Sequence, residues 1–284
     1  MLSASRATGI IWGRASGVTT LVAIAGLAIA ALLDSLSVVG VGGARVATAI
    51  ALYGDCAMGL LASLAIAYAA WNLTPGLSRS TWTLIGAAVF AGAIADGLWA
   101  YGQASMGISN LAFNLSDPFY LAFYVLIAVA VGRWILANRN RIDLAWIATE
   151  SVVGTAVLGA IAWVGFLLPA LRSLGTLVPA TLDDVAWVAI DLPLLVIPTV
   201  ALVFVLVRLH DERLASQWAG FCVAMALVVL ADVGWFWERS HGGWAPGSLV
   251  DFGFMASSVL IAVSALTAVD IQTEQSAEPN TTGS

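Results

Sequence analysis

Six aspartates carry most of the chemical potential of this chain, and they fall into two matching sets. Asp55, Asp96 and Asp117 lie in its first half, and Asp191, Asp232 and Asp251 in its second. Each sits within or at the edge of a long apolar stretch. A carboxylate inside a membrane-spanning helix costs about 2.5–3.5 kcal/mol on insertion scales, so its retention invites a functional reading. Asp96 and Trp99 are three residues apart, as are Asp232 and Trp235, so acid and indole share a helix face. Asp184, Trp187 and Asp191 share another. Pro193 and Pro198 follow, each withholding an N–H and freeing a carbonyl. Aspartates, the Trp99 and Trp235 indoles and freed carbonyls are the materials of a pocket for a small cation or a polar ligand.

Two structural roles compete with that pocket. Asp117, Asp183 and Asp251 fall near expected helix N-termini, where Asp caps the first turn and suits the helix dipole. Asp55, Asp96, Asp191 and Asp232 lie too deep for capping, but could hydrogen-bond neighbouring helices. Trp99 and Trp235 could equally be anchors at the membrane interface.

Other chemistries find no support. His210 and His241 have no second His, Cys or Glu at metal-ligand spacing, so no metal site is expected. The chain has no Lys, which excludes retinal and pyridoxal Schiff bases and a P-loop lysine. No Ser/His/Asp order, Gly-rich phosphate loop or His-Glu-x-x-His is present, so neither a catalytic residue nor a cofactor is expected. Cys56 and Cys222 read as small apolar residues, not as a disulfide. A net charge of −6 without lysine argues against nucleic acid.

The elements that must position these acids follow from composition. Of 284 residues, 61% are hydrophobic and 10% charged, which excludes a water-soluble domain. Eight stretches reach the length of about 20 apolar residues that a bilayer core demands: 17–37, 45–70, 81–102, 116–137, 144–168, 182–207, 216–238 and 249–269. The ten-residue alternation of a membrane β-barrel is missing. The fold class is therefore an all-α polytopic bundle in contact with the lipid bilayer.

The chain also aligns with itself. At a shift of 136, Ser80, Trp82, Asp55, Asp96 and Trp99 fall on Ser216, Trp218, Asp191, Asp232 and Trp235. At 134, Asp117 falls on Asp251, and Val125-Leu126-Ile127-Ala128-Val129 recurs unchanged at 259–263. Four spans per half make the halves parallel, related by an axis along the membrane normal. The expected organisation is an N-terminal segment 1–16, repeats at 17–137 and 144–270, and a disordered tail or linker at 271–284.

Arginine sets the expected orientation. With the N-terminus inside, eight arginines are cytoplasmic and only Arg45, Arg172 and Arg239 lie outside. Both termini are then cytoplasmic. Ten of the 17 acids face outward, counting Asp34, Asp183, Asp184 and Glu238 with the six above. Trp71, Trp82, Trp134, Trp146 and Trp218 are expected at the inner interface, and Trp99, Tyr101, Trp235, Trp237 and Trp244 at the outer one.

The stretch Asp117-Pro118-Phe119-Tyr120-Leu121-Ala122-Phe123-Tyr124-Val125-Leu126 resembles a motif close to Asp-x-x-Tyr-Leu-x-x-Tyr-Pro-Leu. That motif belongs to the multi-span N-terminal membrane regions of bacterial, especially actinobacterial, GGDEF/EAL signalling proteins and some histidine kinases. Asp117, Tyr120, Leu121, Tyr124 and Leu126 match, and Val125 stands where the family has proline. The match is closest over the third and fourth spans. The resemblance implies a sensor in the bacterial inner membrane, joined through its last helix to a cytoplasmic catalytic domain such as a diguanylate cyclase, phosphodiesterase or kinase. These 284 residues contain no GGDEF or EAL catalytic motif.

Two functions follow as expectations. The first is a sensory module, able to form a homodimer, with an outward acidic pocket and a cytoplasmic output end. The alternative is a secondary transporter or ion-coupled carrier using the intramembrane aspartates.

Overall fold

A computed structural model describes residues 15–106, 115–174, 179–241 and 247–277. Eight helices among them are long and apolar enough to cross a membrane. They are α1 (Gly17–Val38), α2 (Ala44–Asn72), α3 (Leu77–Met106), α4 (Asp117–Ala137), α5 (Leu144–Ala162), α6 (Pro179–Phe204), α7 (Glu212–His241) and α8 (Leu249–Ala277). No strand occurs among the described residues. The chain is an all-α polytopic membrane protein. Two helices carry a π-helical turn, Trp163–Leu167 continuing α5 and Val205–Leu209 continuing α6.

The helices alternate in direction, so every loop lies at one of two ends. The end holding the α1 N-terminus is capped by side chains. Ser16 accepts the Thr19 N–H at 3.2 Å, Asp143 that of Trp146 at 3.1 Å, and Asp211 that of Leu214 at 2.9 Å. Each satisfies an N–H that the helix geometry leaves without a partner.

Lipid tails are as apolar as Leu, so these helices are held by close packing rather than by escape from water. Gly220 of α7 illustrates the packing, because a Cβ there would run into Ser264 Oγ of α8. Gly59 of α2 admits Ala93 of α3 in the same way, its Cβ falling 2.9 Å from the alanine methyl. α8 is the most enclosed helix and packs on α7, α2, α1 and α3. α6 packs on α5, α7 and α4. α1 and α5 are the least enclosed, and their exposed Val18, Leu21, Ile24, Val152, Val157 and Ile161 face lipid.

Three aromatic expectations need correction. Trp82, Trp134 and Trp218 are not interface anchors; they are buried together. Trp82 stacks on Trp218 with ring centroids 5.8 Å apart, and Trp134 meets Trp218 at 4.8 Å. Each has the area to fill a gap between helices that aliphatic residues would leave open. Trp71, by contrast, is 77% exposed and lies under the Arg79 guanidinium at 5.5 Å, as an interfacial residue should.

The last helix is longer than the hydropathy implied. Residues 271–277, read from sequence as part of a disordered tail, extend α8 by two further turns. Residues 278–284 lie outside the described residues. Hydropathy ends where the chain leaves the apolar layer, but helical hydrogen bonding continues into the polar Gln272-Thr273-Glu274-Gln275-Ser276 run.

Candidate functional site

The four deep aspartates come from four helices: Asp55 from α2, Asp96 from α3, Asp191 from α6 and Asp232 from α7. They are joined through two tyrosines of α4. The Tyr120 hydroxyl donates to Asp96 Oδ1 at 2.7 Å and interacts electrostatically with Asp55 and Asp232. One turn along α4, the Tyr124 hydroxyl lies against the Asp191 carboxyl. The α6 indole of Trp187 bridges the tyrosines, stacked on Tyr124 at 5.6 Å and edge-on to Tyr120 at 6.0 Å. α4 therefore brings the acids of both halves into one cluster.

Within it the carboxyls are paired. Asp55 of α2 faces Asp96 of α3, and Asp191 of α6 faces Asp232 of α7. Both pairs lie between consecutive helices, α2 with α3 and α6 with α7. Asp251 of α8 and Asp34 of α1 stand near Asp55 as well. The partners are unequal. Asp96 has its tyrosine hydroxyl, whereas Oδ1 of Asp55 and both oxygens of Asp191 lack a hydrogen-bond partner of proper geometry. Asp191 is fully buried.

Trp99 and Trp235 lie one turn beyond Asp96 and Asp232, toward the end predicted to face outward, and meet edge to face. Both are half-buried, so they cover the acids from that end rather than standing apart as separate anchors. An ion pair, Arg141 to Asp211 at 3.1 Å, lies at the opposite end and is exposed.

The boundary aspartates have local roles. Asp251, the third residue of α8, accepts the Gly247 N–H at 2.8 Å and thereby ties the first turn of α8 to the loop before it. Asp117 occupies the first turn of α4, followed by Pro118. Asp183 is a correction: α6 begins at Pro179, so Asp183 lies past the first turn and is not its cap. Of the motif residues, Tyr120 and Tyr124 enter the acid cluster, Leu121 is exposed and Leu126 half-buried. Cys56 and Cys222 are both free, as expected.

Sequence reading placed Trp187 on the helix face of Asp191 but gave no role to Tyr120 or Tyr124 as partners of the acids. A hydroxyl-bearing aromatic at i and i+4 on one helix is a recognisable signal only once α4 is known to lie between α3 and α6. Among the described residues no group of three or more His, Cys, Asp or Glu could hold a metal ion. A narrow apolar crevice lies at the other end of the bundle, between Val131 and Trp134 of α4, Pro198 and Leu202 of α6, and Trp218 of α7.

Fold and site together define a class: an integral membrane protein whose bundle encloses paired carboxyls and phenols. Comparison with family models, with curated proteins and with solved structures returns no match.

Proposed function

We propose that this chain is a sensory module of the bacterial cytoplasmic membrane, with its acid cluster as the input and the end of α8 as the output. The observation that carries the reading is the course of α8. It starts at the acid cluster, where Asp251 stands beside Asp55, and runs without interruption to Ala277. At the far end Asp270 accepts the Ser16 N–H at 2.8 Å and the Thr19 hydroxyl at 2.7 Å. Gln272 accepts from the N–H of Thr74 in the α2–α3 loop at 3.0 Å. One continuous helix thus touches the input site and, at the opposite face, the start of α1 and the α2–α3 loop, which gives a shift at one end a path to the other.

The module is built on this reading from two parallel repeats. Residues matched by the alignment meet one another, Trp82 with Trp218 and Trp99 with Trp235, and such self-contacts are what a two-fold axis between α3 and α7 produces. α1 and α5 are equally exposed, which also suits the scheme. The arginine distribution and the resemblance at Asp117–Leu126 support cytoplasmic termini. A reporter fused after Ser284 and scoring as periplasmic overturns that orientation.

A carrier is the second reading, favoured by one observation. α6 holds the buried Asp191 two residues before Pro193, and is interrupted further on by a π-helical turn, a combination suited to a moving, substrate-lining helix. One experiment separates the two. With spin labels at Ser276 and Thr74 in lipid nanodiscs, sensing predicts a distance change when outer-side cations or pH change. Asp55→Asn, Asp96→Asn, Asp191→Asn and Asp232→Asn combined should abolish it. An unchanging distance together with cation flux across proteoliposomes replaces the sensor by the carrier.

A further inference from the structure

The same five residues occur twice in this chain and meet two different surroundings. Val125-Leu126-Ile127-Ala128-Val129 of α4 recurs as Val259-Leu260-Ile261-Ala262-Val263 of α8. In α8 the two valines are 5% and 4% exposed, packed with Ala23 and Ala30 of α1. Val259 lies so close to α1 that a Cβ on Gly26 would stand 2.8 Å from its Cγ1. In α4 the matching Val125 and Val129 are 52% and 44% exposed. This face of the pentapeptide seats a helix in one half, and in the other half the seat is open.

The helix matched to α1 is α5, but α5 does not take that seat. α4 packs on α3 and α6, and forms no seam with α5 among the described residues. α5 lies instead along α6, where Val196 Cγ1 is 2.9 Å from the place of a Gly154 Cβ. Its continuation Trp163–Leu167 reaches α7. Packing that close leaves α5 little freedom to swing over its own α4.

Apolar exposure alone decides nothing in a membrane, since lipid covers valine as well as a helix does. Charge decides. Arg133 is exposed on α4, one turn beyond Val129. Glu150 is exposed on α5, one turn before Val153, and Val153 and Val157 are exposed beside it. Arg133 lies about 6 Å from the end of α4, and Glu150 about 9 Å from the start of α5. The short connection 138–143 puts both at one end of the bundle, so the two charges share nearly the same depth. Ionisable groups within spans are costly and pair with one another. Arginine can reach the headgroups from such a position, but glutamate has the shorter arm.

We propose that α4 and α5 form the interface with a second copy of this chain, α5 of each protomer filling the open seat on α4 of the other. Run antiparallel, the two faces match turn by turn: Val125 meets Val157, Val129 meets Val153 and Arg133 meets Glu150. Two-fold symmetry about the membrane normal makes the contact twice, so each protomer gives one arginine and one glutamate. Both copies face the same way in the bilayer, and each charge keeps its depth. The match in depth is what such a pair requires. α5 then does for α4 of its partner what α1 does for α8 within the chain. The interface stands whether the chain senses or carries.

The test uses the full chain in lipid vesicles, with Cys56 and Cys222 replaced by Ala. One copy carries Val125→Cys, a differently tagged copy carries Val157→Cys, and an oxidant forms the disulfide. The expected result is a linked dimer bearing both tags. Copies pairing Val125→Cys with Ile24→Cys, on the exposed face of α1, should stay unlinked. Single-molecule photobleaching then reads the strength of association. Arg133→Gln and Glu150→Gln should each weaken it about three- to twentyfold, the span of polar contacts between helices in membranes. Arg133→Glu and Glu150→Arg combined should restore it. Should a charge variant fail to insert, the disulfide decides alone. Chains that stay monomeric at every density, or a link to Ile24→Cys just as efficient, overturn the proposal. So does a disulfide that forms only when both cysteines are on one chain, which puts α5 over its own α4.

Discussion

Trp99 of α3 and Trp235 of α7 meet edge to face, their ring centroids 5.3 Å apart and their planes at 80°. Each stands three residues after an aspartate of the acid cluster, so the two indoles and the two acids form matched faces of two helices.

Such an aromatic pair contributes about 0.5–1.5 kcal/mol beyond the area it buries. Trp99→Ala and Trp235→Ala should therefore be coupled by that amount in a double-mutant cycle of unfolding in mixed micelles. The two single substitutions should also cost nearly the same, because each removes one member of a self-matched contact. Additive effects with no coupling would mean the rings merely share a neighbourhood.

The α7–α8 seam makes a steric prediction. A Cβ at Gly220 collides with Ser264 Oγ and lies 3.5 Å from the Leu260 carbonyl oxygen. Ser264 Oγ is itself held by that carbonyl at 2.8 Å, so it cannot swing aside without losing a bond. Gly220→Val should lower stability by about 1–3 kcal/mol, the usual cost of overpacking. Gly102→Ala on α3, with nothing within 4 Å of its Cβ, is the control and should be neutral or slightly stabilising. Melting temperature in one detergent compares the two directly.

Tyr120 supplies the acid cluster with its shortest described hydrogen bond, to Asp96. Removing the hydroxyl as Tyr120→Phe keeps the ring against Trp187 but strands a half-buried carboxyl, at a cost of about 1–3 kcal/mol. In the background of Asp96→Leu the same change should cost almost nothing, because no acceptor remains. An equal loss in both backgrounds would place the tyrosine's value in packing instead.

How much of this was legible in the residues differs by layer. The eight spans followed from apolar length alone, because a bilayer leaves a helix little choice. The alignment of Asp96 with Asp232 and Trp99 with Trp235 was visible too, since Trp and Asp are rare enough here to align meaningfully. That they converge on one cluster was not visible. Convergence depends on α4 lying against α6, which no periodicity encodes, and on Tyr120 and Tyr124 reaching into opposite halves. Trp82 and Trp218 were misplaced for a related reason. A tryptophan near the end of a span satisfies an interface and a helix–helix seam equally well, and only the neighbouring helix decides.

The last prediction concerns the latch at the far end of α8. Asp270 holds the first turn of α1 through the Ser16 N–H and the Thr19 hydroxyl, while Ser16 also caps that turn by accepting from Thr19 N–H. α1 is the least enclosed span together with α5, so little else fixes its start. Asp270→Ala removes an acceptor from two donors and should cost about 1–3 kcal/mol, the range for hydrogen bonds to a charged group. The loss should be local. Amide exchange should rise over residues 16–20 and not at the α2–α3 loop, where Gln272 still accepts from Thr74. Asp270→Asn keeps one oxygen acceptor and should recover part of the protection. Uniform deprotection of α1, α2 and α8 together would show instead that Asp270 supports the whole bundle, and α8 could then not shift at this end without unfolding it.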